Sequence, residues 1–385
     1  MPLFRIISVA RSAVIGRAMS SQFSTKPPAA KFRGPLAVGT AIAGLAGYGV
    51  YTHFTSNTSK DDLLRVVKEG LTAPTLSAEA LPESQPSVWS QGKDHALYLW
   101  IHLKPTANAK EVAKIAARLQ KFVDTVTDPE MKDEGDEVWA GVGFGPNFYA
   151  QVGGKTRKNY VYPHRKGPLG DMPSSGGDIF IHAKSNQVSK LFELCQLFLR
   201  SLPKDSVQSA EDIYSFVFQN GRDLSGFIDG TENRADDEGR QEVAVEKETG
   251  GSYVITQKWI HDLDLINTEK TKTMESWVGR DRSDSTELAR KTVTSHVARM
   301  TGGPGLQQPK PVEIVRQSMP FGTVTGEAGL FFIGYAADPY NFEFMLERMV
   351  GASGDGQSDD IMRLSKNIKG TYWYFPGEKE LGKLA

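Results

Sequence analysis

Strand-like and helix-like patterns alternate along residues 95–375 in an order that leaves few folds open. Residues 95–104 alternate aliphatic with aromatic side chains, as a half-buried strand does, and residues 108–127 carry apolar side chains at helical spacing. The first run continues with strands at 138–144 and 178–184, a helix at 188–199 and a strand that begins at 215–218. This βαββαβ order is the split pattern of a ferredoxin-like sandwich.

The same order returns in the second half of the chain. The predicted elements there are strands at 252–259, 313–317, 330–336 and 371–375, with helices at 267–278 and 342–350. We therefore predict an α+β fold built from two ferredoxin-like βαββαβ halves, over residues 94–225 and 226–385. Two such sandwiches joined through their sheets would enclose a cavity between sheet and helices, a common place for a cofactor.

The first sixty residues differ in composition from the rest. Residues 1–60 contain seven arginines and lysines, many serines and no acidic residue before Asp61. Apolar residues near the start can share one face of a helix with arginines opposite. This pattern is typical of a mitochondrial transit peptide, which we predict over residues 1–33.

An almost wholly apolar stretch follows the basic segment. Residues 35–54 form a run of about the length that spans a bilayer, and Gly39, Ala43 and Gly47 recur at intervals of four, a spacing that lets membrane helices approach closely. We predict a transmembrane segment over residues 34–54 and a mitochondrial protein tethered to a membrane by residues 35–54. A flexible Gly/Ala linker is the alternative. Residues 55–93 are predicted to be a linker.

Overall charge and cysteine content exclude several classes of protein. Lysine and arginine total 45 against 46 acidic residues, so the basic excess usual in nucleic-acid binders is missing. The single cysteine, Cys195, excludes an intramolecular disulfide framework and a cysteine-based zinc site. It lies in an apolar run with helical spacing, which favours an inert buried thiol.

One short segment carries a candidate reactive acid. Asp229 stands in Gly-Phe-Ile-Asp-Gly at 226–230, followed by Thr231. Glycines permit positive φ and close backbone approach, so Asp229 can be held against a flat ligand. An ordinary Asp-Gly turn explains the segment equally well when it is considered alone.

Three further segments follow in order: Ser-His at 295–296, Arg-Gln-Ser-Met-Pro-Phe-Gly at 316–322 and Gly-Leu-Phe-Phe-Ile-Gly-Tyr at 329–335. Together with 226–230, they resemble the dye-decolourising peroxidases, most closely the bacterial B-type branch. The resemblance covers roughly residues 95–380. It implies a dimeric α/β-barrel-type fold, haem b bound without covalent attachment, and self-association into homo-oligomers.

The resemblance also implies roles for individual residues. It makes His296 the proximal iron ligand, Asp229 the distal acid/base residue and Arg316 the distal cation. Position alone leaves His296 one candidate among seven histidines. Ser318 stands where many relatives carry asparagine, which puts its hydrogen-bonding role in doubt.

The chemistry of peroxide cleavage agrees with this assignment. A proton must move from the oxygen that binds the metal to the oxygen that leaves, and the developing negative charge must be stabilised. A carboxylate can carry the proton, and a nearby guanidinium both keeps that carboxylate ionised and stabilises the departing oxygen. Asp229 and Arg316 supply these two groups.

Further cofactor contacts are predicted around the three central residues. The predicted contacts are Gly226, Phe227, Ile228, Gly230, Thr231, Ser318, Arg280 and Asp359. A ligating histidine usually donates its other N–H to a carboxylate. The candidates to support His296 in this way are Asp355, Asp359 and Asp360, of which Asp359 is favoured. Arg280 and Lys184 are candidates for pairing with haem propionates. Candidate electron relays are Trp259, Trp277, Tyr335 and Tyr340, each of which can also be an ordinary core residue.

We therefore predict a haem peroxidase that reduces hydrogen peroxide and oxidises an aromatic, dye-like or porphyrin donor. A non-enzymatic haem carrier at a mitochondrial membrane is the main alternative, and it has no use for a distal acid and cation. A related haem enzyme acting on chlorite or porphyrin carboxylates does not call for the acid of the Gly-x-x-Asp-Gly segment. A membrane-bound interaction protein with an inactive site stays open.

Overall fold

The structure is a computed structural model that describes residues 82–127, 137–301 and 312–385. The predicted targeting segment (1–33) and transmembrane segment (34–54) lie outside these residues, as does most of the predicted linker. Among the helices of the described part, none is long and apolar enough to cross a membrane.

Within the described residues, nine antiparallel strands form one sheet that closes on itself as a barrel. They are β1 (His95–Leu103), β2 (Trp139–Phe144), β3 (Ile179–Ser185), β4 (Val207–Phe216), β5 (Ser252–His261), β6 (Val315–Arg316), β7 (Met319–Gly322), β8 (Ala328–Ala336) and β9 (Ser365–Phe375). Neighbours run in the order β5-β9-β2-β3-β1-β4-β7-β8-β6, and pairing of β5 with β8 closes the barrel.

The helices lie in the connections between strands. They are α1 (Ala109–Ala116), α2 (Leu119–Val126), α3 (Pro146–Gln151), α4 (Val188–Ser201), α5 (Asp237–Ala244), α6 (Leu263–Thr268), α7 (Thr271–Val278), α8 (His296–Thr301), α9 (Tyr340–Val350) and α10 (Glu378–Gly382). Short 3-10 turns occupy Pro86–Val88 and Asp360–Arg363. The order of strands and major helices confirms the predicted α+β fold of two ferredoxin-like halves, although the second half contains β7, a strand that was not predicted.

Two kinds of boundary differ from the predictions. The helices predicted at 108–127 and 267–278 are each divided, into α1 and α2 and into α6 and α7. Strand β4 begins at Val207, well before the predicted 215, because its first residues are small or polar and exposed, so they show no apolar alternation.

The alternation along β1 separates the two main cores. Leu97, Leu99 and Ile101 pack outward under the helices, whereas Tyr98 and Trp100 point into the barrel with other aromatic side chains. Both faces are fully buried, because one is covered by helices and the other lines the closed interior. The predicted division of this strand is confirmed.

The folded body begins earlier than the predicted boundary at residue 94. Gln85 is 2% exposed, and its side chain bonds both backbone groups of Val142. Its Nε2 donates to the Val142 carbonyl, and its Oε1 accepts from the Val142 amide at 2.7 Å. Its amide nitrogen also donates to the Pro376 carbonyl. The end of the predicted linker is therefore part of the packed structure.

The glycine-rich loop between α3 and β3 covers the outer face of β5 and β9. Tyr160, Tyr162 and Met172 are buried there, and the Tyr162 hydroxyl accepts a hydrogen bond from Gln257 on β5 at 2.8 Å. This loop is therefore a cover packed on the sheet. Cys195 on α4 is buried as predicted, and burial raises the pKa of its thiol to about 12.

Lys184 lies inside the barrel and not beside the cavity described below. It is 1% exposed, and its ammonium group donates to the Ser90 carbonyl and to the Gln317 side chain. Burial lowers its pKa to about 7. The prediction that Lys184 pairs with a propionate is wrong, because the side chain of its strand position points to the barrel interior.

Candidate active site

A cavity lies between the outer face of the sheet and helices α8 and α9. Its empty space, with open solvent at the mouth included, is about 1390 Å³, and its walls are mostly apolar. The sheet wall is formed by Ile255, Gln257, Trp259, Leu330 and Phe332, and the helical wall by Val297, Met300, Phe342, Met345, Leu346 and Met349. Such a slot suits a large flat apolar ligand oriented by few polar groups.

Asp229 reaches the cavity from a tight loop after β4. Gly226 and Gly230 adopt φ values of +86° and +72°, which L-residues rarely tolerate. The Gly230 amide donates to the Asp229 Oδ1 at 2.7 Å, and the Asp229 amide donates to the Gly221 carbonyl. These contacts fix the direction of the carboxylate.

The environment of Asp229 acts on its charge in opposite directions. Burial raises the pKa of the Asp229 carboxyl, whereas the charge of Arg316 acts to lower it. The negative charge of Asp223 adds to the upward shift. The carboxylate is therefore a better proton acceptor than an exposed aspartate.

Arg316 lies on β6, on the sheet side of the cavity. Its backbone amide donates to the Asn233 side chain at 2.9 Å, and the Asn233 amide group donates to the Arg316 carbonyl. Strand pairing with Gly334 adds a further attachment. Within the described residues the buried Nε of Arg316 has no hydrogen-bond partner, and such a group is costly unless a ligand or water satisfies it.

His296 begins α8 on the helical side of the cavity. Its Nδ1 lies 2.7 Å from the Oδ2 of Asp359, whose side chain is fully buried. The other oxygen of Asp359 accepts the Ile361 amide at 2.9 Å, so the carboxylate is fixed at the start of a 3-10 turn. With Nδ1 bonded to the acid, Nε2 is the nitrogen that can ligate a metal.

The three acids near the C-terminus have separate partners. Asp359 contacts His296, Asp355 pairs with Arg299, and Asp360 pairs with Arg363. The structure thus places the favoured acid, Asp359, against His296.

The other predicted contacts divide into two groups. Phe227, Ile228, Gly230, Thr231 and Arg280 line the cavity. Arg280 pairs there with Glu232 and Glu287 near the mouth. Gly226 and Ser318 are not in the cavity lining. A Cβ at Gly226 would contact Arg282, and the Ser318 hydroxyl accepts the Ile333 amide at 3.4 Å.

The candidate electron relays also separate. Trp259 is part of the cavity wall and is 7% exposed. Tyr335 points into the barrel, where its hydroxyl lies 2.6 Å from His182. Trp277 lies beneath Arg363, and Tyr340 is exposed.

One polar group in the cavity wall was not predicted. His261 Nε2 lies 2.8 Å from Asp223 Oδ1, and its Nδ1 contacts the Ser365 hydroxyl. Although burial acts to raise it, hydrogen bonds from His261 and Ser225 lower the pKa of the Asp223 carboxyl. Acidic residues adjoin His261 in the sequence, but its partner, Asp223, lies on a different element.

Comparisons with known proteins agree on one group. The family model described as Dyp-type peroxidase, C-terminal, matches residues 220–380. A dye-decolorizing peroxidase of Mycobacterium tuberculosis is 29% identical over 287 residues, which cover 72% of this chain and 84% of that protein. One from Rhodococcus erythropolis is 31% identical over 53% of this chain and 61% of its own length.

Solved structures give the same result for the fold. The dye-decolorizing protein from V. cholerae is similar with a TM-score of 0.70 and 29% identity, over 78% of this chain and 99% of that one. An arginine-to-leucine variant of Rhodococcus jostii DypB, solved in complex with heme, is similar with a TM-score of 0.70 and 28% identity. That match covers 77% of this chain and 96% of the DypB chain.

Proposed function

From the similarity of this chain to the Dyp-type peroxidases, we infer that it belongs to that family and is a haem-dependent peroxidase whose reaction depends on His296, Asp229 and Arg316. Its oxidant is hydrogen peroxide, and its cofactor is haem b. The observation that carries the residue assignment is the pairing of His296 with a buried carboxylate on one wall of the cavity, while Arg316 approaches from the sheet wall.

The residues present fit a haem group. The cavity walls are apolar and the space is large, as a porphyrin requires. His296 offers Nε2 as an axial ligand, and its bond to Asp359 raises the basicity of the imidazole. The buried Nε of Arg316 has no acceptor among the described residues, so it can donate a hydrogen bond to a bound ligand. Arg280, at the mouth, is placed to pair with a propionate once its contact with Glu232 is exchanged.

Haem iron, when bound, supplies the electrons that reduce the peroxide O–O bond. In our proposal Asp229 would accept the proton of one peroxide oxygen and donate it to the other oxygen, which would leave as water. Arg316 stabilises the negative charge that develops on the leaving oxygen and favours the ionised state of Asp229 before the reaction. The apolar walls limit access of bulk water to this transfer.

A haem carrier is the weaker proposal. A carrier needs His296 and the apolar slot, but a half-buried carboxylate beside an incompletely bonded guanidinium would only cost stability in such a protein. A reaction with bound hydrogen peroxide explains why Asp229 and Arg316 are both present.

The pH dependence of the peroxide reaction tests the role of Asp229. Because the reaction needs the carboxylate and burial raises its pKa, the rate should fall with decreasing pH at values above the ordinary aspartate pKa of about 3.9. Stopped-flow measurement of the second-order rate constant for hydrogen peroxide gives this profile. Asp229→Asn is expected to lower the rate about 100-fold or more and to remove the acid limb.

Glu232→Gln is the matched control, because Glu232 also lines the cavity but pairs with Arg280 and is half-exposed. It should keep the acid limb. A wild-type profile in Asp229→Asn would show that another group transfers the proton.

We further propose that residues 1–54 direct the protein to the mitochondrion and tether it to a membrane. The support is compositional: a basic, acid-free, serine-rich start followed by an apolar run. Deleting residues 1–58 is expected to release a soluble protein with unchanged peroxidase activity, measured by fractionation and dye oxidation. Membrane association of the truncated protein would place the tether elsewhere.

The proposed reducing substrate is an aromatic, dye-like or porphyrin compound, and self-association into a homo-oligomer is proposed from the family resemblance. Sedimentation of the truncated protein at several concentrations tests the second point. A monomer throughout would contradict it.

A further inference from the structure

The helix that carries His296 is held by a second set of contacts, centred on Arg299. Arg299 lies one turn after His296 on α8 and is fully buried. A buried guanidinium is unfavourable unless its donors are bonded. Here Nε and Nη2 donate to the Arg348 carbonyl at 3.0 and 2.7 Å, Nη2 also donates to Ser353, and Nη1 contacts Asp355.

These bonds join α8 to the end of α9. The last carbonyls of a helix have no partner within the helix, and arginine side chains can bond them. Arg299 does this for Arg348, and Arg348 Nη1 donates in return to the Arg299 carbonyl at 3.1 Å. The two helix ends therefore cap each other.

The carboxylate partner of Arg299 belongs to the same loop as the partner of His296. Asp355 and Asp359 both lie in the segment 351–359, between α9 and the 3-10 turn. Asp355 accepts hydrogen bonds from Ser353 and from the Gln357 amide, at 3.0 and 3.1 Å. The bond to Arg299 lowers the pKa of Asp355 to about 2, so it is charged at all physiological pH values.

We propose that Arg299 and Asp355 are positioning residues for His296. They fix α8 against the segment 351–359, and so set the length and direction of the hydrogen bond between His296 and Asp359. The proposal rests on the proposed function only in taking His296 as the axial ligand. Neither residue lines the cavity, so neither touches the cofactor or substrate.

The consequence for the bound haem follows from ligand basicity. An imidazole that donates strongly to a carboxylate is a stronger ligand and favours the higher oxidation state of iron. Loosening that hydrogen bond should raise the Fe(III)/Fe(II) midpoint potential. A role in stability alone would lower the melting temperature and leave the potential unchanged.

The experiment measures the midpoint potential and the iron–histidine stretching frequency of the haem-loaded protein for four variants. Asp359→Asn removes the direct partner and serves as reference, with an expected rise of about 59 mV, equal to a tenfold change in the ferrous-to-ferric ratio. Asp355→Asn and Arg299→Lys are expected to raise the potential by a smaller amount and to lower the stretching frequency. Asp360→Asn is the matched control, because that acid pairs only with Arg363 among the contacts described and should change neither value.

A haem-free measurement separates this proposal from the proposed function. In the unloaded protein with 15N-labelled histidine, NMR should show a slowly exchanging Nδ1 proton on His296 that Asp355→Asn makes exchange faster. Asp355 is partly exposed, so this variant should fold even where Arg299→Lys does not. Unchanged proton exchange and potential in Asp355→Asn, alongside a shifted Asp359→Asn, would overturn the proposal and leave the peroxidase assignment intact. Failure of haem to bind His296 in the wild-type protein would overturn the proposed function, while the NMR result would still test the positioning role of Arg299 and Asp355.

Discussion

Arg316→Leu is expected to slow the reaction with hydrogen peroxide by about 100-fold or more while haem stays bound. Removing one preorganised donor that faces developing negative charge has an effect of this size in other enzymes. The loss should be large here because Arg316 is held on both sides of its peptide by Asn233 and by its strand pairing. Stopped-flow absorption after mixing with peroxide gives the rate, and the spectrum before mixing gives the haem content.

Arg234→Leu provides the matched comparison. Arg234 is also a cation near β6, but its side chain is about half exposed and pairs with Glu313 on the surface. It should react at the wild-type rate. Equal rates for Arg316→Leu and the wild type would remove Arg316 from the mechanism, whereas equal slowing in both variants would indicate only long-range electrostatics.

His296→Ala is expected to abolish axial ligation, with loss of haem or of its high-spin spectrum. The cavity wall is otherwise mostly apolar, and its other histidine, His261, is held by Asp223 and Ser365. We therefore do not expect His261 to replace the lost ligand. The small side chain leaves space for free imidazole. Added imidazole should therefore restore part of the spectrum and of the peroxide reaction, as absorption titration can show.

His164→Ala is the control for this prediction, since His164 is half-exposed in the covering loop and pairs with Asp171. Its haem content should equal that of the wild type. An unaltered spectrum in His296→Ala would reject the ligand assignment whatever the activity.

Element order could be predicted because the strands differ so clearly from the helices. Strand β1 alternates aliphatic and aromatic side chains, which reflects its position between a helix-covered face and a barrel interior. The start of strand β4 could not be predicted in this way, because its first residues are mostly exposed and show no apolar alternation. The breaks within 108–127 and 267–278 depend on how the helices pack on the sheet, which periodicity does not record.

The site was predictable only where one residue type in one local segment carries the chemistry. Asp229 between two glycines and Arg316 before Met-Pro-Phe-Gly are such cases, and both line the cavity. The pair of Asp223 and His261 joins elements 38 positions apart and has no local signature. Ser318 follows Arg316 closely in sequence, yet its hydroxyl bonds the Ile333 backbone instead of facing the cavity.

Partner selection among similar residues also needed the structure. Three acids precede β9, and chemistry alone required one of them beside His296. The structure distributes them among His296, Arg299 and Arg363. The role of Asp355 as the charged partner of Arg299 could be inferred only from the structure, which shows that Arg299 is buried.

The absorption spectrum of the purified protein, recorded with haem before and after one equivalent of hydrogen peroxide, tests the central claim most directly. The account predicts one haem per chain with a histidine-ligated high-spin ferric spectrum. One equivalent of hydrogen peroxide should convert this spectrum rapidly to that of an oxidised haem. A protein that binds no haem, or whose haem spectrum is unchanged by peroxide while His296 ligates the iron, would contradict it.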